Sequence, residues 1–301
     1  NNVLSIFLVN QSNLWLGFDN GIDMIAYNSS IKKINPLLQD GSGYTALIHD
    51  NKLYAGTSNG LYRVALQSTT DLSFSRGTFL PVNNTKGQVW GLATINNQLL
   101  LGHHEGAFSV SDNTAQKIST EPGFWNFIPM SVTFPTPQIV SGSYKGLVFF
   151  DYINKQFIKT NQLPGFDESS RFVAIDSDNN IWASHPYHGV YRISRRGNGT
   201  YSTNSYADKK GLPSALNNHI YKVKNEVVAA TEKGIYMYNR DKDNFTPAPF
   251  YAKLLGTQSI RYLKEDSEGN IWFIHEKSPG VIDVSGKEPT VIFFPELANK
   301  L

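Results

Sequence analysis

Leu14-Trp15-Leu16-Gly17-Phe18-Asp19-Asn20-Gly21-Ile22 and Leu53-Tyr54-Ala55-Gly56-Thr57-Ser58-Asn59-Gly60-Leu61 match position for position: an apolar run, a Gly-centred polar turn, then a second apolar run. Further copies run from Leu99 to Ala107, Ile139 to Leu147, Ile181 to Val190, Val227 to Ile235 and Ile271 to Val281. Their closing glycines are expected to be Gly21, Gly60, Gly106, Gly146, Gly189, Gly234 and Gly280, at spacings of 39, 46, 40, 43, 45 and 46 residues. One four-stranded propeller blade takes roughly 40 to 45 residues, and repeats of this length fill all 301 residues.

Around each anchor the pattern is a β-rich run, a polar turn, the anchor strand, the Gly turn, a third strand and a short fourth one. In the first copy these are residues 3–9, 13–18, 21–27 and 31–34, each of strand length with turn residues between. No stretch keeps helical period for long. The chain therefore reads as an all-β, seven-bladed β-propeller with four antiparallel strands per blade. The expected blades are about 1–36, 37–82, 83–120, 121–162, 163–211, 212–252 and 253–301.

A tight antiparallel connection needs positive φ, which Gly adopts without a Cβ clash. Ser184, Ala230 and Ile274 replace the first glycine in the last three copies, so the second glycine reads as the one the backbone demands. Trp15, Trp182 and Trp272 open anchor strands and are expected to fill the space between twisted sheets, with Tyr54, Leu100, Val140 and Val228 doing so elsewhere. Because the first and last copies each own four strands, the ring is expected to close by packing between blades, with no strand borrowed from the far terminus.

Length allows two domains, but all-β propellers run longer as one unit. Hydrophobic content of 40% supports a core, and aromatic content of 13% suits blade packing. A formal net charge of +2, with no long Lys/Arg run, excludes an electrostatic footprint for nucleic acid or membrane. The absence of cysteine rules out disulfides and thiol chemistry. No apolar run approaches the roughly 18 residues of a spanning helix, and the chain starts on Asn1-Asn2, so it is expected to be excised from a longer protein. Pro295-Glu296-Leu297 reads as the start of a linker.

Trp15-x-Gly17-x-x-x-Gly21-Ile22 and its partners resemble the regulator-propeller repeat of bacterial sensor proteins. Asp19-Asn20-Gly21-Ile22-Asp23, Gly102-His103-His104-Glu105-Gly106, Glu168-Ser169-Ser170-Arg171-Phe172 and Ser184-His185-Pro186-Tyr187-His188-Gly189-Val190-Tyr191 extend that likeness. They resemble the branch in which two propellers precede a triple-tyrosine β-sandwich, one membrane helix and a helix-turn-helix domain or histidine kinase. The resemblance implies an extracytoplasmic, periplasmic sensor attached to the inner membrane. It implies a response to oligosaccharides or related nutrients and control of polysaccharide-utilisation genes. It also implies neighbouring propeller and sandwich domains and a homodimer formed through domains outside this chain.

Loops from second to third strand, and from one blade's fourth strand to the next blade's first, open on one face of a propeller. The first set holds Asp19, Asn20, Ser58, Asn59, His103, His104, Glu105, Tyr144 and Lys145, then His185, Tyr187, His188, Glu232, Lys233, His275, Glu276 and Lys277. The second adds Tyr44, Trp90, Phe124, Trp125, Phe166, Arg171, Asn217, His219 and Arg261. Five of the seven histidines fall in the first set. Flat rings beside rigid donors and acceptors suit a sugar, whose C–H faces stack while its hydroxyls need partners. The candidate ligand-binding residues are Trp90, His103, His104, Glu105, Trp125, Tyr144, Lys145, Arg171, His185, Tyr187 and His188. The competing reading is that His103 and His185 cap strands and plug the channel.

His103-His104-Glu105 and His185-x-x-His188 lack the geometry of a zinc helix motif, so no metal and no cofactor are expected. Asp176-Ser177-Asp178-Asn179-Asn180 and Asp266-Ser267-Glu268-Gly269-Asn270 recur at equivalent blade positions, which favours a hairpin over a calcium loop. No catalytic residue is expected. A glycosidase would want two carboxylates set across the sugar bond, and no spacing marks a pair. A polysaccharide lyase is the stronger enzymatic rival, with Tyr144, His188 and Lys145 as base and cation. A scaffold or dimerisation propeller is the other alternative; exposure of Trp90, Trp125, Tyr144 and Tyr187 would argue against it.

Overall fold

The computed structural model describes residues 2–9, 13–25, 41–66 and 79–297, and they form a seven-bladed β-propeller. Each described sheet is antiparallel and built from consecutive strands, six sheets with four strands and the first with three. The first sheet holds Val3–Val9, Asn13–Phe18 and Gly21–Ile25; the fourth strand expected over residues 31–34 lies outside the described residues. The last blade owns its outer strand, Thr290–Phe293, which pairs with Ser278–Asp283. The N-terminal strand pairs with Asn13–Phe18, so among the described residues no strand crosses from one terminus to the other blade.

The core lies between blades, because an antiparallel sheet with both faces apolar must bury each against a neighbour. Five buried clusters each join two successive sheets. Tyr54 and Leu61 meet Val89 and Leu101, Leu100 meets Ile139 and Phe150, and Val140 and Phe149 meet Val173 and Ile181. Trp182 and Tyr206 meet Ile220 and Phe245, and Val228 meets Ile260 and Phe273. No described residue of the first sheet joins such a cluster, and Val3, Leu4, Ile6 and Phe7 are exposed. Expected packing of the first blade on its neighbours is therefore not seen among the described residues.

Three sequence expectations are corrected. The turn of the seventh blade lies at Glu276-Lys277, and the residue paired across it with His275 is Ser278. Gly280 sits inside that strand opposite Phe273 and Phe293, so the closing position is Ser278 and its turn strain falls on Glu276, with φ 54°. Second, Trp182 is 1% exposed and fills its gap, but Trp15 at 40% and Trp272 at 42% do not; Trp272 instead stacks on Phe294. Third, a short helix, Pro249–Leu255, links the sixth and seventh blades. Its Tyr251 and Leu255, one turn apart, are buried.

The first glycine proves as constrained as the second where blades approach most closely. A Cβ on Gly142 would lie 1.8 Å from the Ser170 carbonyl oxygen of the next blade. A Cβ on Gly146, at φ +82°, would lie 2.0 Å from the Phe166 carbonyl. Both are contacts no real Cβ tolerates.

Candidate functional site

Five of the second-to-third-strand turns share one local device; in the last blade His275 Nδ1 instead meets the Ser259 carbonyl at 3.0 Å. At the last position of the second strand, a side chain accepts the backbone N–H two residues on, closing an ST-type or Asx-like turn. Asn59 N–H donates to Thr57 Oγ1 at 3.0 Å, Lys145 N–H to Ser143 Oγ at 3.1 Å and Lys233 N–H to Thr231 Oγ1 at 3.0 Å. Histidine takes the role in two blades: Glu105 N–H donates to His103 Nδ1 at 3.0 Å, and Tyr187 N–H to His185 Nδ1 at 3.1 Å. His103 is 1% exposed, with its ring edge-on to Phe108. Burial pushes its pKa down, and the Glu105 charge pulls it back only partly. Both imidazoles thus accept a backbone N–H of their own turn, where the competing sequence reading has them bond loop carbonyls.

A second device sets side chains apart near the starts of inner strands. Four inner strands carry a one-residue bulge near their start, which leaves one residue without a cross-strand partner. Leu4 lies between paired Val3 and Ser5, Tyr44 between Gly43 and Thr45, Trp90 between Val89 and Gly91, and Arg261 between Ile260 and Tyr262. The register of the remaining blades puts Trp125, whose N–H donates to Gly142 O, Arg171 before the Phe172–Ser184 pair, and Asn218 before the His219–Ala230 pair at the same position.

These residues form a continuous arc. Tyr44 and Trp90 have ring centroids 4.8 Å apart, as do Trp90 and Trp125. Trp125 meets Tyr144 at 5.5 Å. The Arg171 guanidinium lies 4.9 Å above the Trp125 ring and 5.5 Å from Phe172, a cation–π geometry. Phe172 stacks on His219 at 4.3 Å and meets Tyr221, which meets Tyr262. The His104 Nδ1 and the Tyr144 hydroxyl are hydrogen bonded at 2.9 Å. Burial pushes the Tyr144 phenol up, offset in part by the approach of the Trp90 indole N–H. That approach falls short of hydrogen-bond geometry, and the Trp90 and Trp125 indole nitrogens are both buried without a partner.

Next to the arc, Glu168 gathers a polar group. His188 Nδ1–H donates to Glu168 Oε2 at 2.9 Å, the Tyr191 hydroxyl donates to Oε1 at 3.0 Å, and His185 Nε2 stands 3.8 Å from Oε2. The two imidazoles stack at 4.1 Å. Burial raises the Glu168 pKa, but His188, Tyr191 and the His185 charge outweigh it and hold the carboxyl below its ordinary value. Burial and then Glu168 push the Tyr191 phenol up to about 12. The Glu168, His185 and His188 donor atoms lie within 4.8 Å of one another. Because His185 Nδ1 accepts the Tyr187 N–H, its ring proton sits on Nε2, the nitrogen facing Glu168. As it stands the trio is a carboxylate held by donors rather than three free lone pairs.

Of the sequence candidates, the structure brings together Trp90, His104, Trp125, Tyr144 and Arg171 in the arc, and His185, Tyr187 and His188 in the Glu168 group. His103 is turned inward, while Glu105 and Lys145 stand exposed at turn tips. Tyr144 pairs with His104 and not with His188, so the base and cation cast for a lyase are not assembled as expected. Sequence reasoning passed over Glu168, Phe172, Tyr191, Tyr221 and Tyr262. Glu168, Phe172 and Tyr262 sit at the start of an inner strand or in the loop before it, Tyr221 lies within an inner strand and Tyr191 in a third strand, Gly189–Arg195, so no single positional signal marks them.

No family model matches the chain, and no curated protein matches it. Similar structures are numerous. The extracellular domain of a protein described as a hybrid two-component system, BT3049 from B. thetaiotaomicron, aligns at TM-score 0.68 and 16% identity, over 97% of this chain and 40% of that one. Virginiamycin B lyase from Staphylococcus aureus, in a catalytically inactive form with quinupristin, aligns at TM-score 0.59 and 13% identity over 87% of each chain. The Neurospora crassa Pan2 WD40 domain aligns at 0.57 and 12% identity, over 84% of this chain and 79% of that one. The regulator-propeller resemblance thus holds at the level of fold, and the chain spans 40% of that first neighbour. Neighbours this diverse show that a propeller does not fix function; the site must. Among the described residues no helix is long and apolar enough to cross a membrane.

Proposed function

We propose that this chain is the extracytoplasmic sensor propeller of a bacterial signal-transduction protein and that its channel mouth binds an oligosaccharide. The observation that supports the reading is the arc Tyr44–Trp90–Trp125–Tyr144, built from the starts of three successive inner strands and one second-to-third-strand turn, and flanked by Arg171, His104 and the Glu168 group. Sugar rings stack their C–H faces on such surfaces, and rigid loops on a stiff scaffold hold the polar partners in place. The chain is a single propeller of a longer protein that supplies the output domain, membrane attachment and any dimer contact. Within this reading the domain binds reversibly and turns nothing over.

For a scaffold role the rings divide: Tyr187, 67% exposed, speaks against it, while Trp90, Trp125 and Tyr144, half-buried on one another, speak for it. A lyase is the second reading, favoured by the Tyr191–Glu168–His188 hydrogen bonds beside the arc, where a base and its partner would stand. Calorimetric titration with plant, algal and host oligosaccharides, with each mixture scanned for unsaturated ultraviolet-absorbing product, tests all three. Saturable heat without product, weakened by Trp125→Ala, is the expected result. Product accumulation would establish the lyase, and absence of heat from every ligand would turn the reading to the scaffold.

A further inference from the structure

The channel-mouth positions are not chemically uniform around the ring. Taken in blade order they are Leu4, Tyr44, Trp90, Trp125, Arg171, Asn218 and Arg261. The first four are apolar or aromatic; the last three are two guanidinium groups and an amide. A bulge marks four of these positions, Leu4, Tyr44, Trp90 and Arg261, and register places the other three in line with them, although Asn218 is buried with its amide on the Ser214 carbonyl.

Resting on the sensor reading above, we propose that the saccharide bound at this mouth is anionic, its carboxylate or sulfate ester gripped between Arg171 and Arg261 while its rings lie on the aromatic arc. Both arginines are exposed, and among the described residues neither forms an ion pair with a carboxylate. Nearby carboxylates are otherwise engaged: Glu168 by His188 and Tyr191, and Glu232 by the Asn217 side-chain amide at 2.9 Å. Glu276, on the turn of the last blade, is exposed. Guanidinium groups without a carboxylate partner are forks matched to a planar carboxylate or a sulfate.

Both forks are held. Trp125 and Phe172 flank the Arg171 guanidinium, and the Asn126 amide donates to the Arg171 carbonyl at 2.9 Å. The Arg261 carbonyl accepts two bonds from the preceding blade, His219 Nδ1–H at 2.8 Å and the Tyr221 hydroxyl at 3.0 Å. His219 stands between the two cations: burial lowers its pKa, its bond to the Arg261 carbonyl raises it, and the charges of Arg171 and Arg261 lower it again. With Nδ1 donating to that carbonyl and the ring neutral, Nε2 is an acceptor for a ligand hydroxyl. A neutral acceptor between two cations suits a sugar that carries both an anion and an adjacent hydroxyl.

Calorimetry on the 301-residue chain with matched pairs tests this. The probes are galacturonate, glucuronoxylan and chondroitin-sulfate oligosaccharides, each beside its carboxyl-reduced or desulfated counterpart. The expected result is that at least one acidic member binds about tenfold or more tightly than its neutral counterpart. Its affinity should fall as salt rises from about 50 to about 500 mM, as a charge contact requires. Arg171→Gln and Arg261→Gln should each remove most of the acidic preference and leave the weaker neutral binding in place, while Trp125→Ala weakens both. A neutral oligosaccharide bound as tightly as its acidic partner, or affinity that ignores both salt and Arg261→Gln, overturns the anion proposal and leaves the sensor reading standing. Absence of binding by every acidic and neutral probe overturns both.

Discussion

Asp176 accepts the indole N–H of Trp182 at 2.8 Å through Oδ2, while its Oδ1 takes the backbone N–H groups of Asp178 and Asn180 at 2.9 Å each. One carboxylate thus ties the hairpin between first and second strands to the ring that fills the gap to the next blade. Asp266 repeats the arrangement with Trp272, at 3.0 Å. The spacing of six residues from Asp to Trp is the signature, and the pair explains why these acidic turns recur without calcium-loop geometry.

Asp176→Ala should therefore cost about 2 kcal/mol, the scale of leaving a buried donor unsatisfied while a turn loses its acceptor. Asp266→Ala should cost less, because Trp272 is 42% exposed and water replaces the lost acceptor. Urea denaturation of both variants checks the order. Equal losses would show that the hairpin, and not the buried indole, carries the effect.

Gly142→Ala should destabilise by about 1–3 kcal/mol or more, the usual scale of forced overpacking, because its Cβ would meet backbone 1.8 Å away and backbone cannot swing aside. Gly197→Ala is the control: nothing lies within 4 Å of its Cβ position, so the change should be neutral or slightly stabilising. Thermal melts of the two variants decide it, and a stable Gly142→Ala protein would mean the blades can slide.

The pH response follows from the histidines and Glu168. His103, His185 and His219 all have pKa values lowered in the fold, chiefly by burial, so the unfolded chain takes up their protons first. Stability falls as pH drops below about 6.5. Glu168 is also lowered, through its His188 and Tyr191 bonds against the opposing effect of burial. Its contribution is complete above the unfolded carboxyl value near 4.5 and is lost as pH falls through the depressed folded value. Melting temperature should decline from about pH 7 to about pH 4. His185→Gln should shallow the upper limb without abolishing it, and Glu168→Gln should remove part of the lower limb. A profile unchanged by His185→Gln contradicts this account.

The propeller was legible because a Gly turn with an apolar flank on either side is a local signal repeated in every blade. It misled at the last blade, where the turn residue is Ser278 and Gly280 supplied a similar pattern two residues later. Strand-opening tryptophans looked alike in sequence, yet Trp15 and Trp272 stay exposed because burial depends on the neighbouring sheet. The helix Pro249–Leu255 is too short for its period to register. Pooling loops by topology found most of the arc. The bulge that aligns Tyr44, Trp90 and Arg261 was not legible, since a bulge is defined by the partner strand's register. Glu168 was hidden for the same reason: it meets His185 and His188 only when the preceding loop folds over the turn.

Tyr187 separates binding from stability most cleanly. Its ring is 67% exposed and reaches only His185, at 6.0 Å edge-on, while the backbone N–H that His185 accepts survives any side-chain change. Tyr187→Ala should leave the melting temperature within the scatter of a surface substitution, about 0.5 kcal/mol. Trp125 is different, being wedged between Trp90, Tyr144 and Arg171, so Trp125→Ala should lower stability by about 2 kcal/mol, less than the roughly 3–5 kcal/mol of a fully buried aromatic because the ring is only half-buried. If the saccharide spans from the arc to the Glu168 group, both variants weaken binding, Tyr187→Ala by about fivefold, a modest stacking loss. Unchanged affinity in Tyr187→Ala alongside a loss in Trp125→Ala would confine the ligand to the arc and the two arginines.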